Sequence, residues 1–138
     1  AVGALITNCC LKILIARPRP YADESSIFYQ LWLLVGQNVE SDKSFPSGHT
    51  TAAFASMTAV FLVGGKRWSW TAYIFAILMG VARIYLCVHF PSDVLGGIIV
   101  GLIGGIAGTL IAAKLPAKWY ELNFFKKGGD AECSDSAS

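Results

Sequence analysis

The sequence predicts an all-α, integral-membrane helical bundle, and three observations carry that expectation. Its 138 residues are 54% hydrophobic and only 14% charged, where a soluble domain carries about a quarter. Its mean hydropathy is +0.54. Four apolar segments run along it, and the last two approach the roughly 20 residues that a spanning helix needs. The length suits one domain rather than two.

The first apolar segment covers residues 1–16 and is interrupted by Lys12. It begins at Ala1 with neither an initiating Met nor a cleavable leader, the pattern expected of a fragment or a trimmed chain. Pro18, Pro20, Asp23, Glu24 and Ser25 then make a loop. Residues 27–35 are apolar but too short to span. They form either a helix lying in the membrane interface, with Tyr29 and Trp32 at headgroup depth, or a helix packed over the bundle. The second apolar segment, 50–63, reaches a useful length only if the preceding Ser-Gly-His-Thr stretch joins the same helix, and we assign it so. Gly64, Gly65, Lys66 and Arg67 end it. The third covers 68–88 and the fourth 94–113. In the fourth, Gly97, Gly101, Gly104, Gly105 and Gly108 recur at three- and four-residue steps, a face of small residues suited to close helix packing. Residues 1–127 thus make one transmembrane domain, and the small, polar stretch 128–138 is expected to be disordered.

A formal net charge of +2 gives no case for nucleic-acid binding. The four cysteines, Cys9, Cys10, Cys87 and Cys133, have neither disulfide-framework nor zinc-site spacing. Charge placement puts Lys66, Arg67 and the lysines at 114, 118, 126 and 127 on one side, the cytoplasmic one by the positive-inside rule. The other side carries Arg17, Arg19, Lys43 and Arg83, so charge alone does not decide the topology.

Three clusters on that second side carry chemistry. They are Lys12 with Arg19-Pro20, then Pro46-Ser47-Gly48-His49, then Arg83 with His89 and Asp93. Ionisable groups where a span meets water are costly, and their joint presence points to function. Lys12, Arg19 and Arg83 supply three cations, two of them forks that match phosphate oxygens. Ser47 suits an N-cap, and with Gly48 it puts free N–H groups at a helix start, ready for an anion. No carboxylate cluster is present to hold Mg²⁺ or Zn²⁺, so the expected site handles phosphate without metal or other cofactor. Asp93 lies four residues after His89, placed to hydrogen-bond one ring nitrogen and leave the other free to attack. His49 is then the general acid for the leaving oxygen. Taken singly, each residue has an ordinary reading: a snorkelling lysine, a juxtamembrane arginine, a cap, a structural His–Asp pair. Their occurrence together, in this order, favours the catalytic one.

At this point the chain resembles the type 2 phosphatidic acid phosphatase family, within the superfamily of lipid phosphatases and vanadium haloperoxidases. The signature Lys-x6-Arg-Pro, Pro-Ser-Gly-His and Ser-Arg-x5-His-x3-Asp is matched by Lys12 to Pro20, Pro46 to His49 and Arg83 to Asp93, with Ala82 in place of the Ser. The resemblance implies a phosphohistidine on His89, oriented by Asp93 and served by His49 as acid. It implies a phosphate cradle of Lys12, Arg19, Ser47, Gly48 and Arg83, with weaker anchoring at Ala82. It implies six spans, of which four are visible here and two N-terminal ones are missing. The implied partners are a lipid phosphate substrate and membrane lipids. The implied location is the bacterial plasma membrane, with the site on the non-cytoplasmic side. Similarity to compact bacterial members favours undecaprenyl diphosphate as substrate, with phosphatidylglycerophosphate and phosphatidic acid close behind. A lipid phosphotransferase and a silent lipid-phosphate binder are the alternatives.

Overall fold

The computed structural model describes residues 11–64 and 66–114, with only the backbone at 66–69. Residues 1–10, Cys133, the lysines at 118, 126 and 127 and the expected disordered tail lie outside the described residues. All regular structure within them is helical: α1 Lys12–Ile15, a 3₁₀ turn Pro20–Ala22, α2 Ile27–Leu34, α3 Gly48–Val63, α4 Lys66–Tyr85 and α5 Pro91–Lys114.

Local chemistry sets the helix ends. Ala16 adopts a left-handed conformation (φ 46°) and stops α1, its N–H returning to the Lys12 carbonyl. Ser47 caps α3 by accepting from the Thr50 N–H, a cap worth about 1 kcal/mol. The Ser-Gly-His-Thr stretch therefore does belong to the second apolar helix, which ends at Gly64. Pro91 opens α5, where its missing N–H costs nothing.

The bundle is built on α3, which packs along α5 on one side and against α4 on another, while α4 and α5 touch only slightly. Small residues make the α3–α5 approach possible. A Cβ on Gly97 would stand 2.9 Å from the Ser47 carbonyl oxygen, one on Gly101 2.8 Å from that of Thr51, and one on Gly105 2.7 Å from that of Ala55. Thr58 ties α3 to α4 through the Tyr73 hydroxyl at 3.0 Å. Phe54, Phe61, Trp70 and Tyr73 form an aromatic cluster beside it.

The outward faces of α4 and α5 are apolar and exposed, among them Trp70, Ile74, Phe75 and Leu78 on α4 and Leu95, Ile99, Ile103 and Leu110 on α5. Surfaces of this kind suit a nonpolar surrounding. Among the described residues one helix, α5, is long and apolar enough to cross a membrane, with 24 residues and a mean hydropathy of 2.3 over its most apolar stretch. The sequence predicts two such helices. The difference lies in α4, which takes in Lys66 and Arg67 at one end and Arg83 near the other and stops at Tyr85 rather than 88, so that its apolar part is only Trp70–Tyr85. Helix α2 has no buried residue. It leans on the 3₁₀ turn through Trp32 stacked on Tyr21 (4.7 Å) and on the loop before α5 through Phe28 against Phe90 (5.7 Å).

Candidate active site

Residues 12–19, the connection 40–49 and the stretch 83–93 meet at the N-terminal ends of α3 and α5. The Ser47 N–H donates to the Asp93 carbonyl at 3.0 Å, which locks these two helix starts together. All eight residues assigned from sequence lie around this junction, although they do so in different ways.

His89 is almost wholly buried, at 2% exposure, in the loop between α4 and α5. Its two nitrogens face different groups. Nδ1 is 3.5 Å from Ser44 Oγ and 3.8 Å from Asp93 Oδ2. Nε2 is 3.4 Å from Arg19 Nη1 and 3.8 Å from Glu40 Oε2. The direct Asp93–His89 hydrogen bond expected from the four-residue spacing is replaced by a longer contact. Asp93 is fully buried and its oxygens are taken up elsewhere. Oδ1 accepts from Arg17 Nη1 at 2.8 Å. Oδ2 accepts from the Ser44 hydroxyl and from the Phe90 N–H, the latter at 2.8 Å. Ser44 therefore touches both members of the pair.

The cations are strongly engaged, Lys12 and Arg19 from buried positions and Arg83 from a partly exposed one. Arg19 donates from Nε to the Asp42 carbonyl and from Nη1 to the Val88 carbonyl, both at 2.9 Å, so that it staples two loops. Its Nη2 meets Glu40 Oε2 at 2.8 Å and also Asp42 Oδ1. Lys12 pairs with Asp42 Oδ2. Its ammonium lies over the first residue of α3, 3.7 Å from where a Cβ on Gly48 would be. Arg83 Nη1 is 3.2 Å from Glu40 Oε1, and its buried Nε has no hydrogen-bond partner. His49 is half-exposed, with Nδ1 3.9 Å from Glu40 Oε1. Ser47 is fully buried, its hydroxyl engaged as the cap and accepting from Thr50 Oγ1 at 3.0 Å.

Sequence reasoning missed four participants: Arg17, Glu40, Asp42 and Ser44. Arg17 and Asp42 carried a weak signal as charges flanking the motifs, whereas Ser44 carried none. The electrostatics are close to balanced. Burial pushes the Asp42 carboxyl up, but Lys12 and Arg19 outweigh it and hold the group below the ordinary carboxylate range. Burial pushes the Cys87 thiol up, which makes it a poor nucleophile. Among the described residues no three His, Cys, Asp or Glu side chains are grouped as a metal site would need.

Such a constellation, a buried histidine facing a cationic cradle at two helix starts, is of the class suited to receive an anion such as phosphate. A profile of the PAP2 superfamily matches residues 1–116, and the chain belongs to that superfamily. It is 33% identical to the undecaprenyl-diphosphatase BcrC of Bacillus subtilis over 75% of this chain and 50% of the relative. It is 31% identical to a lipid A 4'-phosphatase of Bacteroides thetaiotaomicron over 80% of this chain and 49% of the relative. It is 42% identical to phosphatidylglycerophosphatase B of Bacillus subtilis over 46% and 36%, respectively. The chain spans about half the length of the first curated relatives it matches. No solved structure gives a significant match.

Proposed function

We propose that this chain carries the catalytic half of a membrane lipid phosphatase that works through a phosphohistidine on His89, with undecaprenyl diphosphate as the favoured substrate. The observation that carries the reading is one carboxylate. Glu40 lies within 4 Å of Arg19, Arg83, His49 and His89 at once, so these four converge on a spot the size of a single anionic group. A phosphoryl group in that place meets two guanidinium forks and both imidazoles.

His89 Nε2 is then the attacking atom, because Nδ1 faces Ser44 and Asp93. Asp93 and Ser44 set the ring orientation, and the nearby carboxylate favours the positive charge that grows on the imidazole. His49, at the exposed side, protonates the leaving oxygen and afterwards activates the water that releases phosphate. Lys12, Arg19 and Arg83 neutralise the phosphoryl oxygens in place of a metal ion. Gly48 leaves room beside Lys12, and Ser47 acts by shaping the helix start rather than by direct contact. The names of the relatives support a lipid-borne phosphate as the substrate class. The exposed apolar faces of α4 and α5 support an integral-membrane location, and a six-span bundle in the bacterial plasma membrane, with the site at the non-cytoplasmic edge, is what the family resemblance adds.

The test is hydrolysis of a panel of lipid phosphates in detergent by the full chain and by His89→Ala, each with and without EDTA. We expect the variant to lose at least about a thousandfold in rate and EDTA to have no effect. Full activity in His89→Ala would remove the mechanism, and loss of activity in EDTA would remove the metal-free claim.

A further inference from the structure

Glu40 occupies the spot given above to the phosphoryl group, and it is held there from two directions. Its carboxylate reaches both guanidiniums, with Oε2 2.8 Å from Arg19 Nη2 and Oε1 3.2 Å from Arg83 Nη1. Its backbone is held by a phenol. The Tyr21 hydroxyl accepts from the Glu40 N–H at 3.1 Å and donates to the Glu40 carbonyl at 3.3 Å. Trp32 stacks on the Tyr21 ring at 4.7 Å, and its indole Nε1 donates to the Asn38 carbonyl at 2.9 Å. Tyr21, Trp32 and residues 38–40 thus form a strap that carries one carboxylate into the site.

The strap rests on the bundle without entering its core. Helix α2 has no buried residue. Among the described residues it packs on the 3₁₀ turn and on none of α3, α4 and α5, and it meets the loop before α5 through the edge of Phe28 on Phe90. A segment with so few buried apolar contacts lifts at low cost.

Glu40 also fills its place incompletely. Arg83 meets it through Nη1, while the buried Arg83 Nε has no partner. His89 Nε2 and His49 Nδ1 stay at 3.8 Å and 3.9 Å, beyond hydrogen-bond reach. A phosphoryl group brings more oxygens and a larger negative charge than a carboxylate, so it can take the guanidiniums from Glu40. The exchange also runs backwards, because a tethered carboxylate stays at hand when inorganic phosphate is left after hydrolysis.

We propose that Glu40 is an internal plug of the phosphate site, positioned by Tyr21 and Trp32, which competes with the product phosphate and keeps it from remaining bound. This rests on the phosphate-site reading given above. No covalent bond changes in the exchange; one anion replaces another on Arg19 and Arg83. The fraction of molecules with Glu40 withdrawn sets the apparent affinity. A site open about a tenth of the time binds phosphate about tenfold more weakly than one always open.

The test is equilibrium binding of inorganic phosphate to the full chain in detergent, followed by calorimetry. Glu40→Gln and Glu40→Ala are both expected to tighten binding about tenfold over the wild type. Tyr21→Phe and Trp32→Ala, which loosen the strap, are expected to tighten it about threefold, and to add nothing once Glu40→Gln is present. Unchanged or weaker binding in both Glu40 variants overturns the plug and leaves the phosphate site standing, with Glu40 an organiser of its cations. Tightening by the strap variants that persists in the Glu40→Gln background overturns their positioning role. If neither the wild type nor any variant binds phosphate, the phosphate-site reading falls, and the plug with it.

Discussion

Arg17 and Asp93 meet at 2.8 Å, guanidinium Nη1 to carboxylate Oδ1, across 76 positions of sequence. The same guanidinium donates to Ser92 Oγ at 2.7 Å and lies 4.1 Å over the Phe90 ring. It thus fixes the first turn of α5 from outside, while Ser44 and the Phe90 N–H hold the other carboxylate oxygen from within. A fully buried carboxylate is costly unless paired, and here the pairing also fixes where His89 can rest.

Arg17 and Ser44 are therefore positioning residues. Arg17→Ala and Ser44→Ala are expected to lower kcat about 10- to 100-fold with little change in KM. Arg17→Lys recovers part of the loss, because it keeps the charge but not the fork or the ring contact. Steady-state kinetics on a lipid diphosphate decide it. A change confined to KM would show that these residues act on binding instead.

His49 is expected to matter in proportion to the leaving group. His49→Ala should slow hydrolysis of an alkyl phosphate by about 10²- to 10⁴-fold. An aryl phosphate, whose leaving oxygen needs no proton, should be affected far less. Comparing the two substrates in the same variant checks the assignment, and equal losses would point to a binding role for this residue.

The helix packing makes a stability prediction that is independent of chemistry. A methyl group on Gly101 would stand 2.8 Å from the Thr51 carbonyl oxygen and 2.7 Å from Phe54 Cβ, with backbone on one side and a buried ring on the other. Gly101→Ala is expected to cost about 1–3 kcal/mol. A thermal melt in detergent measures it, and an unchanged midpoint would mean that α3 and α5 lie farther apart than described.

The Asp42 pairing gives a pH prediction whose sign follows from linkage. Although burial pushes its pKa up, Lys12 and Arg19 hold it below the ordinary 3.8. A depressed carboxylate contributes stability that is fully present above its unfolded pKa and is lost as pH falls through the folded value. The stability difference between the wild type and Asp42→Asn should therefore be constant between about pH 5 and pH 8. The stability of the wild type relative to the variant should fall only in more acidic solution. A stability difference that changed between those two pH values would contradict this.

What could be read from sequence was whatever depends on neighbours along the chain. The Ser47 cap, the stop at Gly64 and the small-residue face of α5 are local or periodic signals, and the expected segment 94–113 lies within about three residues of α5 at each end. The motif residues were visible because their charges are out of place in an apolar chain. Glu40 and Ser44 gave no such sign and Asp42 only a weak one, because acids and serines in a loop are ordinary and only tertiary closure brings them to the cations. The same holds for the His89–Asp93 contact. The four-residue spacing places the two groups near each other, but it does not say which donors reach the carboxylate first.

Arg19 also bears on how the site is assembled. Helices α3, α4 and α5 are consecutive and pack on one another directly. The site also needs the N-terminal segment. Through Arg19 the carbonyls of Asp42 and Val88 are drawn to one side chain, the second across 69 positions of chain. Bringing such distant residues together has an entropic cost that short loops do not carry. On the proposed mechanism, catalysis therefore depends on the segment bearing Lys12, Arg17 and Arg19 being seated against these helices. Turnover would then report the placement of that segment, which helix content does not.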